Sequence, residues 1–443
     1  MADLIITGGR VIDPARGFDE TADVLISEGR VKSIETRPGG LPRETTMSSD
    51  TKTIDAEGCI VAPGLLDIHV HFREPSTTHE ETIATGSASA LNGGFTTVCC
   101  MPNTTPPLDS AEMIQLIRHK SNEAKGARVF PVGCATIGRQ GNYPAPIEAM
   151  TKAGAIGFTD DGDPVDDSGV LAKVFTLLKK ANRVFMQHCQ DPSLTKGASM
   201  NAGPIATKLG LTGWPRVAEE QMLERDILLN QSIGARYHAQ HLSSGGSVEI
   251  LRRGRQANQP VSGEVSPHHL LLTEEACDGY DTQAKMNPPL RSKRDIDQLK
   301  EAVAQGVITV LATDHAPHPA VAKNTDFESA AFGIVGVECA LPLYIKALID
   351  DNVLDWPELL RLMTINPAQI AGLDIMGLGS LAEGGPADIT IIDPDLEWTI
   401  DINSFVSKGL NCPFDGWNVK GRSIATIVEG EVRHSRSQER LRT

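Results

Sequence analysis

The segment Asp67-Ile68-His69-Val70-His71-Phe72-Arg73 places two imidazoles two residues apart. On a β-strand, residues i and i+2 point to the same side, so both rings can converge on one metal ion. An H-x-H pair alone is a weak signal, but other ligand-competent residues follow short apolar runs in the same way. They are Asp160-Asp161, His188, His241 (with His238 three residues before it) and Asp314-His315, with His318 close behind. Imidazole and carboxylate together form the usual donor set for zinc. A zinc ion activates water and polarises a carbonyl, so the cluster suits hydrolysis of an amide. Asp314, beside such an ion, can take a proton and deliver it to a leaving nitrogen. Arg73 offers a planar fork for a substrate carboxylate. Asn103 and Asn287 can hydrogen-bond an amide-like ligand, and the stretch beginning at Gly333 allows close backbone approach. The default reading of each Asn is a turn former.

These residues must be carried by strand ends. Eight apolar runs meet that need: Leu65–Phe72, Thr96–Pro102, Arg128–Cys134, Ala155–Asp160, Val184–Cys189, Arg236–Leu242, Val261–Val265 and Val307–Ala312. Helix punctuation lies between them. Ser110 caps a helix presenting Met113, Leu116 and Ile117 and ending near Gly126. Pro215 opens a helix running to Ile233, and Ser247 caps the one after the sixth run. Eight alternating units predict an α/β fold, a closed (β/α)8 barrel whose site lies at the C-terminal ends of the strands. Both chain ends read as short strands, among them Leu4–Ile6, Val24–Ile26, Ala387–Ile392 (stopped by Asp393-Pro394) and Ile424–Glu431. The expected units are a small composite β-sandwich from residues 1–62 and 383–443, and a barrel over 63–382. Residues 35–53 read as a loose loop. Residues 190–214, rich in Gly and Ser, fit a mobile flap over the site and an inert surface loop equally well.

The bulk properties exclude several classes. A chain of 443 residues suits one large and one smaller domain. The balance of 41 basic and 57 acidic residues gives a net charge of −16, which disfavours nucleic acid as a partner. No secretory signal opens the sequence and no run of about 18 apolar residues crosses a membrane. The eight cysteines are scattered without a C-x-x-C pair, as expected of reduced thiols in a cytoplasmic protein.

Six ordered motifs carry a family resemblance: His69–Pro75, Gly94–Thr97, Met101–Thr104, Phe158–Gly162, Asn287–Arg291 and Ala312–His318. Together they resemble the class I dihydroorotases of the amidohydrolase superfamily, over nearly the whole chain. The resemblance implies zinc, one or two ions per subunit. His69, His71 and Asp314 would hold the first, and His188 and His241 the second. Many relatives bridge the ions with a carboxylated lysine. This sequence has none there and is similar to the branch with an aspartate, placed at Asp161 rather than Asp160. Arg73, Asn103, Asn287, His318, Phe332 and Gly333 would face the substrate, dihydroorotate or N-carbamoyl-L-aspartate. The resemblance also implies a homo-oligomer and a complex with aspartate transcarbamoylase. Two rivals remain: a hydantoinase or allantoinase, and a non-catalytic scaffold of the transcarbamoylase. His268 and His269 are expected to support rather than ligate, His238 to be no ligand, and His79, His119 and His434 to lie on the surface.

Overall fold

A computed structural model describes residues 4–36, 51–436 and 441–442. Five strands open the chain: β1 (Leu4–Asp13), β2 (Phe18–Ser27), β3 (Arg30–Glu35), β4 (Lys52–Asp55) and β5 (Ile60–Pro63). The expected loop at 35–53 therefore yields to strand at both margins, and its middle, 37–50, lies outside the described residues.

The chain then enters a run of parallel strands: β6 (Leu65–Val70), β7 (Phe95–Cys100), and β8 (Arg128–Pro131) continued past Val132 by β9 (Gly133–Cys134). Next come β10 (Gly157–Thr159) and β11 (Val184–Gln187). A short pair, β12 (Met200–Asn201) and β13 (Gly213–Trp214), forms an excursion before β14 (Tyr237–Ala239), β15 (Val261–Val265) and β16 (Val310–Leu311). Ladders join β6 to β7 to β8, and β9 to β10, β11, β14, β15 and β16. The ring closes where His71 N–H donates to the His315 carbonyl at 2.9 Å. Counting β8 and β9 as one, eight parallel strands make the (β/α)8 barrel. Their side chains are buried on both faces, which is why they read as unbroken apolar runs.

After the barrel, β17 (Ile389–Thr399), β18 (Asn418–Val428), β19 (Glu431–Ser435) and β20 (Leu441–Arg442) return to the first five strands. The order is β19-β18-β17-β5-β1-β2-β3, with β4 pairing β1 and β20. The antiparallel β17–β5 ladder, with Ile391 opposite Val61, joins the two ends of the chain. Ile6, Val11, Val24, Val61, Ile389 and Ile427 share the buried core of this β-sandwich. β17 does not stop at Asp393-Pro394; it shifts register between Asp393 and Glu397 and continues. The Arg128 guanidinium grips both Asp388 oxygens, at 2.7 and 3.2 Å, and fixes sandwich to barrel.

Local caps explain most helix starts. Ser110 accepts from Met113 N–H and starts the helix Ala111–Ala124, whose inner face is Ile114 and the expected Ile117, with the expected Met113 half-buried against the same core. The helix after β14 is capped by Ser244, not Ser247; Ser247 lies inside it and donates to the buried Glu219. Pro215 precedes rather than opens the helix Val217–Asn230, which ends before Ile233.

Residues 190–214 are a folded excursion, not a bare loop. They contain the helices Pro192–Thr195 and Pro204–Leu209, β12, β13 and the buried Trp214. The fully buried Arg291 pins them: it donates to Asn201 Oδ1 and the Trp214 carbonyl, both at 2.8 Å, and to Ser243 Oγ at 3.1 Å. Arg291→Met should release this excursion. Limited trypsin digestion followed by mass spectrometry should show faster cutting at Lys196 and Lys208 in the variant, and unchanged cutting would contradict the anchor.

Candidate active site

The strand ends bring the predicted donors to one place. On β6, Asp67 accepts from His69 N–H at 2.9 Å and from Thr313 Oγ1 at 2.5 Å, tying the first strand to the eighth beside Asp314. His69 Nε2 lies 3.5 Å from Asp161 Oδ1 and 3.4 Å from Asp314 Oδ1. His71 Nε2 lies 2.9 Å from Asp314 Oδ1 and 3.5 Å from Asp161 Oδ2. His188 Nδ1 and His241 Nε2 are 2.9 Å apart, and each is within 3.8 Å of Asp161 Oδ1. Donor sets for a cation form around His69, His71 and Asp314, and around His69, Asp161 and His241, all buried. Asp160 turns the other way and accepts from Ala135 N–H at 2.9 Å and Thr136 N–H at 3.0 Å.

Hydrogen bonds at the far side of each ring decide which nitrogen faces inward. His69 Nδ1 meets Glu264 Oε1 at 2.5 Å, so a proton sits there and Nε2 is the nitrogen turned to two carboxylates. His71 Nδ1 meets Asn103 Oδ1 at 2.9 Å and Nε2 meets Asp314 Oδ1 at 2.9 Å, so Nε2 is the nitrogen that faces inward. His188 Nε2 donates to Gln190 Oε1 at 2.8 Å, which aims Nδ1 inward. His69 Nε2 and Asp161 Oδ1 are buried without any hydrogen-bond partner. A buried ring nitrogen and a buried carboxylate oxygen left unpaired 3.5 Å apart, with Asp314 beside them, are satisfied by a cation between them. These residues therefore fit a metal ion.

The titration behaviour agrees. Burial disfavours charge on His69, yet Glu264, Asp314 and Asp161 outweigh it and raise its pKa well above the usual value. The pocket thus favours positive charge at this point. Burial also opposes ionisation of Asp314, but the His69 and His71 rings hold it well below the usual carboxylate range. His188 is pushed down to about 4, by burial first and then by His241, and stays a neutral ligand-competent imidazole.

A cavity of about 180 Å³ opens above this floor, and every other predicted site residue reaches it: Arg73, Asn103, Asn287, His318, Phe332 and Gly333. Arg73 Nε donates to the Pro317 carbonyl at 3.3 Å, and its Nη1 makes no hydrogen bond among the described residues. His318 Nε2 donates to the Phe332 carbonyl at 2.8 Å. Burial and the Arg73 charge lower its pKa to about 3, so the ring is neutral. Asn287 Nδ2 donates to Gln190 at 3.3 Å and leaves its carbonyl oxygen unpaired and buried. Asn103 lines the cavity and in addition supports the donors: its amide serves His71 and, at 3.3 Å, Asp161.

Sequence reasoning missed Glu264. It accepts from His69 Nδ1, from His238 Nε2 at 3.0 Å and from His241 N–H at 3.1 Å, so one carboxylate holds a ligand from each donor set. Burial would raise its pKa, but His69 and His238 outweigh it and lower it to about 2. The signal was present: a glutamate inside the apolar run Val261–Val265 has to be paired. His238, as expected, stays outside the cluster, bonding Ser262 and Glu264. His269 supports the Asn287 loop by donating to the Pro288 carbonyl at 3.0 Å. His79 and His119 are exposed, whereas His434 is half-buried on β19.

Comparison with known proteins points the same way. Residues 58–247 match the dihydro-orotase-like family model, and residues 253–434 the amidohydrolase family. A dihydroorotase of Syntrophotalea carbinolica is 42% identical over 97% of this chain and 98% of its own length. One of Pelotomaculum thermopropionicum is 43% identical over 97% and 98%. Among solved structures, an L-hydantoinase (dihydropyrimidinase) from Arthrobacter aurescens superposes with a TM-score of 0.87 at 25% identity, covering 99% of this chain and 97% of its own. With its imidazoles and carboxylates converging at the mouth of a barrel and this likeness over nearly its full length, the chain belongs to the dihydroorotase family of the amidohydrolase superfamily.

Proposed function

We propose that the protein is a dihydroorotase, interconverting (S)-dihydroorotate plus water and N-carbamoyl-L-aspartate in pyrimidine biosynthesis. One observation carries this reading. The converging His69, His71, Asp161 and Asp314 share a cavity with the Arg73 guanidinium, which Glu80, Pro317 and His318 hold by Nε and Nη2. We assign the metal as zinc, one or two ions, held by His69, His71 and Asp314 and by Asp161, His188 and His241. The barrel over 63–382 is then the catalytic unit, flanked by 1–62 with 383–443.

Zinc supplies an activated water and a polarised carbonyl at neutral pH. The chain's own residues do the rest. Arg73 binds the substrate carboxylate and fixes the ring, with Asn287 and the Phe332–Gly333 backbone as neighbours. Asp314, kept ionised by His69 and His71, accepts the proton of the attacking water. It returns that proton to the ring nitrogen as the amide bond breaks, and ring closure runs the same transfers backwards. Glu264 and Asn103 hold His69 and His71 with Nε2 facing inward.

The L-hydantoinase likeness keeps a cyclic-amide rival in view, and Arg73 argues for a substrate bearing a carboxylate. The full set of donors argues for catalysis over a purely scaffolding role. Association with aspartate transcarbamoylase and self-association are part of the proposal, and activity measured with and without the transcarbamoylase tests the former. The eight buried cysteines suit a cytoplasmic setting.

The purified protein should turn over dihydroorotate but not hydantoin or allantoin, lose activity to a chelator and regain it with zinc. Turnover of hydantoin with dihydroorotate inert would overturn the assignment. Glu264→Gln should weaken zinc retention by about 10- to 100-fold, read by competition with a chromophoric chelator. An unchanged affinity would remove Glu264 from the account.

A further inference from the structure

The segment between β17 and β18, residues 400–417, leaves the β-sandwich and returns to the barrel. Its ends are tied by Ile400 N–H to the Trp417 carbonyl at 2.9 Å and Gly416 N–H to the Ile400 carbonyl at 2.8 Å. Ile400, Cys412 and Phe414 share a buried cluster with Met286, Ile334 and Val335, so this strap packs against the loops that surround the cavity. Ser407 donates to the buried Glu81 at 2.6 Å, which fixes the strap midway. Gly409 then passes so near the barrel that a Cβ would stand 2.6 Å from Pro317 Cβ. That close approach delivers Asn411.

Asn411 is buried, and both ends of its side-chain amide and its backbone carbonyl are bonded. Nδ2 donates to the Ala316 carbonyl at 2.9 Å and to the Gly333 carbonyl at 3.0 Å. Oδ1 accepts from His318 N–H at 3.0 Å, and the Asn411 carbonyl accepts from Val335 N–H at 3.0 Å. One side chain thus bridges the turn after β16 and the stretch 332–335, two pieces of chain that line the cavity. They also touch directly. Gly333 sits at φ +145°, and a Cβ there would meet the Ala316 carbonyl and the His318 ring at 2.9 Å. His318 in turn bonds the Phe332 carbonyl and lies 3.4 Å from Arg73 Nη2.

We infer that Asn411 is a positioning residue for the substrate: through His318 and Gly333 it sets the wall against which Arg73 presents its guanidinium. The inference rests on the dihydroorotase reading. None of the Asn411 hydrogen bonds reaches His69, His71, Asp161, His188 or His241, so its loss acts on substrate binding and not on the metal. Asn411→Ala strands two carbonyls and one N–H in a buried place. Asn411→Asp keeps the acceptor for His318 but sets a carboxylate against two carbonyls.

The test compares wild type, Asn411→Ala, Asn411→Asp, His318→Ala and the Asn411→Ala/His318→Ala pair, each checked for folding by circular dichroism. In Asn411→Ala, KM for dihydroorotate should rise about tenfold with zinc per subunit unchanged. The double variant should show nearly the KM of the worse single variant, because both act on one contact. Hydrogen exchange read by mass spectrometry should quicken over residues 315–335 and not over 65–72. Asn411→Asp should raise KM as well, and it decides the matter alone if the alanine variant does not fold. An unchanged KM in a folded variant, multiplicative effects in the pair, or zinc loss would overturn the inference. If wild type does not act on dihydroorotate, the functional reading fails, and the exchange pattern still decides whether Asn411 holds the wall.

Discussion

Imidazoles and carboxylates crowded together out of water hold the key to this molecule. His69, His71, His188 and His241 each come from a barrel strand end, and Asp161 and Asp314 sit among them, out of water. Each of the first three rings spends its outer nitrogen on a fixed acceptor: Glu264, Asn103 or Gln190. What remains inside is a set of imidazole nitrogens turned toward two carboxylates, a donor set that a divalent cation would hold together. The backbone accepts strain to achieve it. Asp314 and His241 both adopt left-handed conformations, at φ 48° and φ 29°, which side-chain-bearing residues seldom visit.

Other features follow from holding that arrangement still. The barrel closes through His71 and His315, so strands one and eight, which supply three donors, are locked edge to edge. Asp67 repeats the lock one layer below. The β-sandwich is not a separate passenger. It clamps Arg128 through Asp388, accepts Leu65 N–H on Thr390, and sends the 400–417 strap to the cavity wall. Donors are thus set by strand ends, and the substrate-facing wall by loops that need outside support.

Much of this was legible in the sequence because the underlying periods are short. His69 and His71 lie on one face by the two-residue repeat of a strand, and each barrel strand is buried on both sides and so reads as an apolar run. Legibility fails where partners are distant in sequence. Nothing local in Asn411 reveals its bonds to Ala316, 95 residues earlier. Glu264 was readable as a charge in an apolar run, but not which imidazole it serves. Two serines near residue 245 could each cap a helix, and only packing against Glu219 drew Ser247 inside. Asn103 was readable as a group facing the mouth, but not its bond to Nδ1 of His71.

The most direct test is a crystal structure of the protein with anomalous data collected at the zinc absorption edge. The account predicts a peak within bonding distance of His69 Nε2, His71 Nε2 and Asp314, with Asp161 bridging to a second peak near His188 and His241 when both positions fill. A catalytically active crystal with no peak among these residues would contradict it.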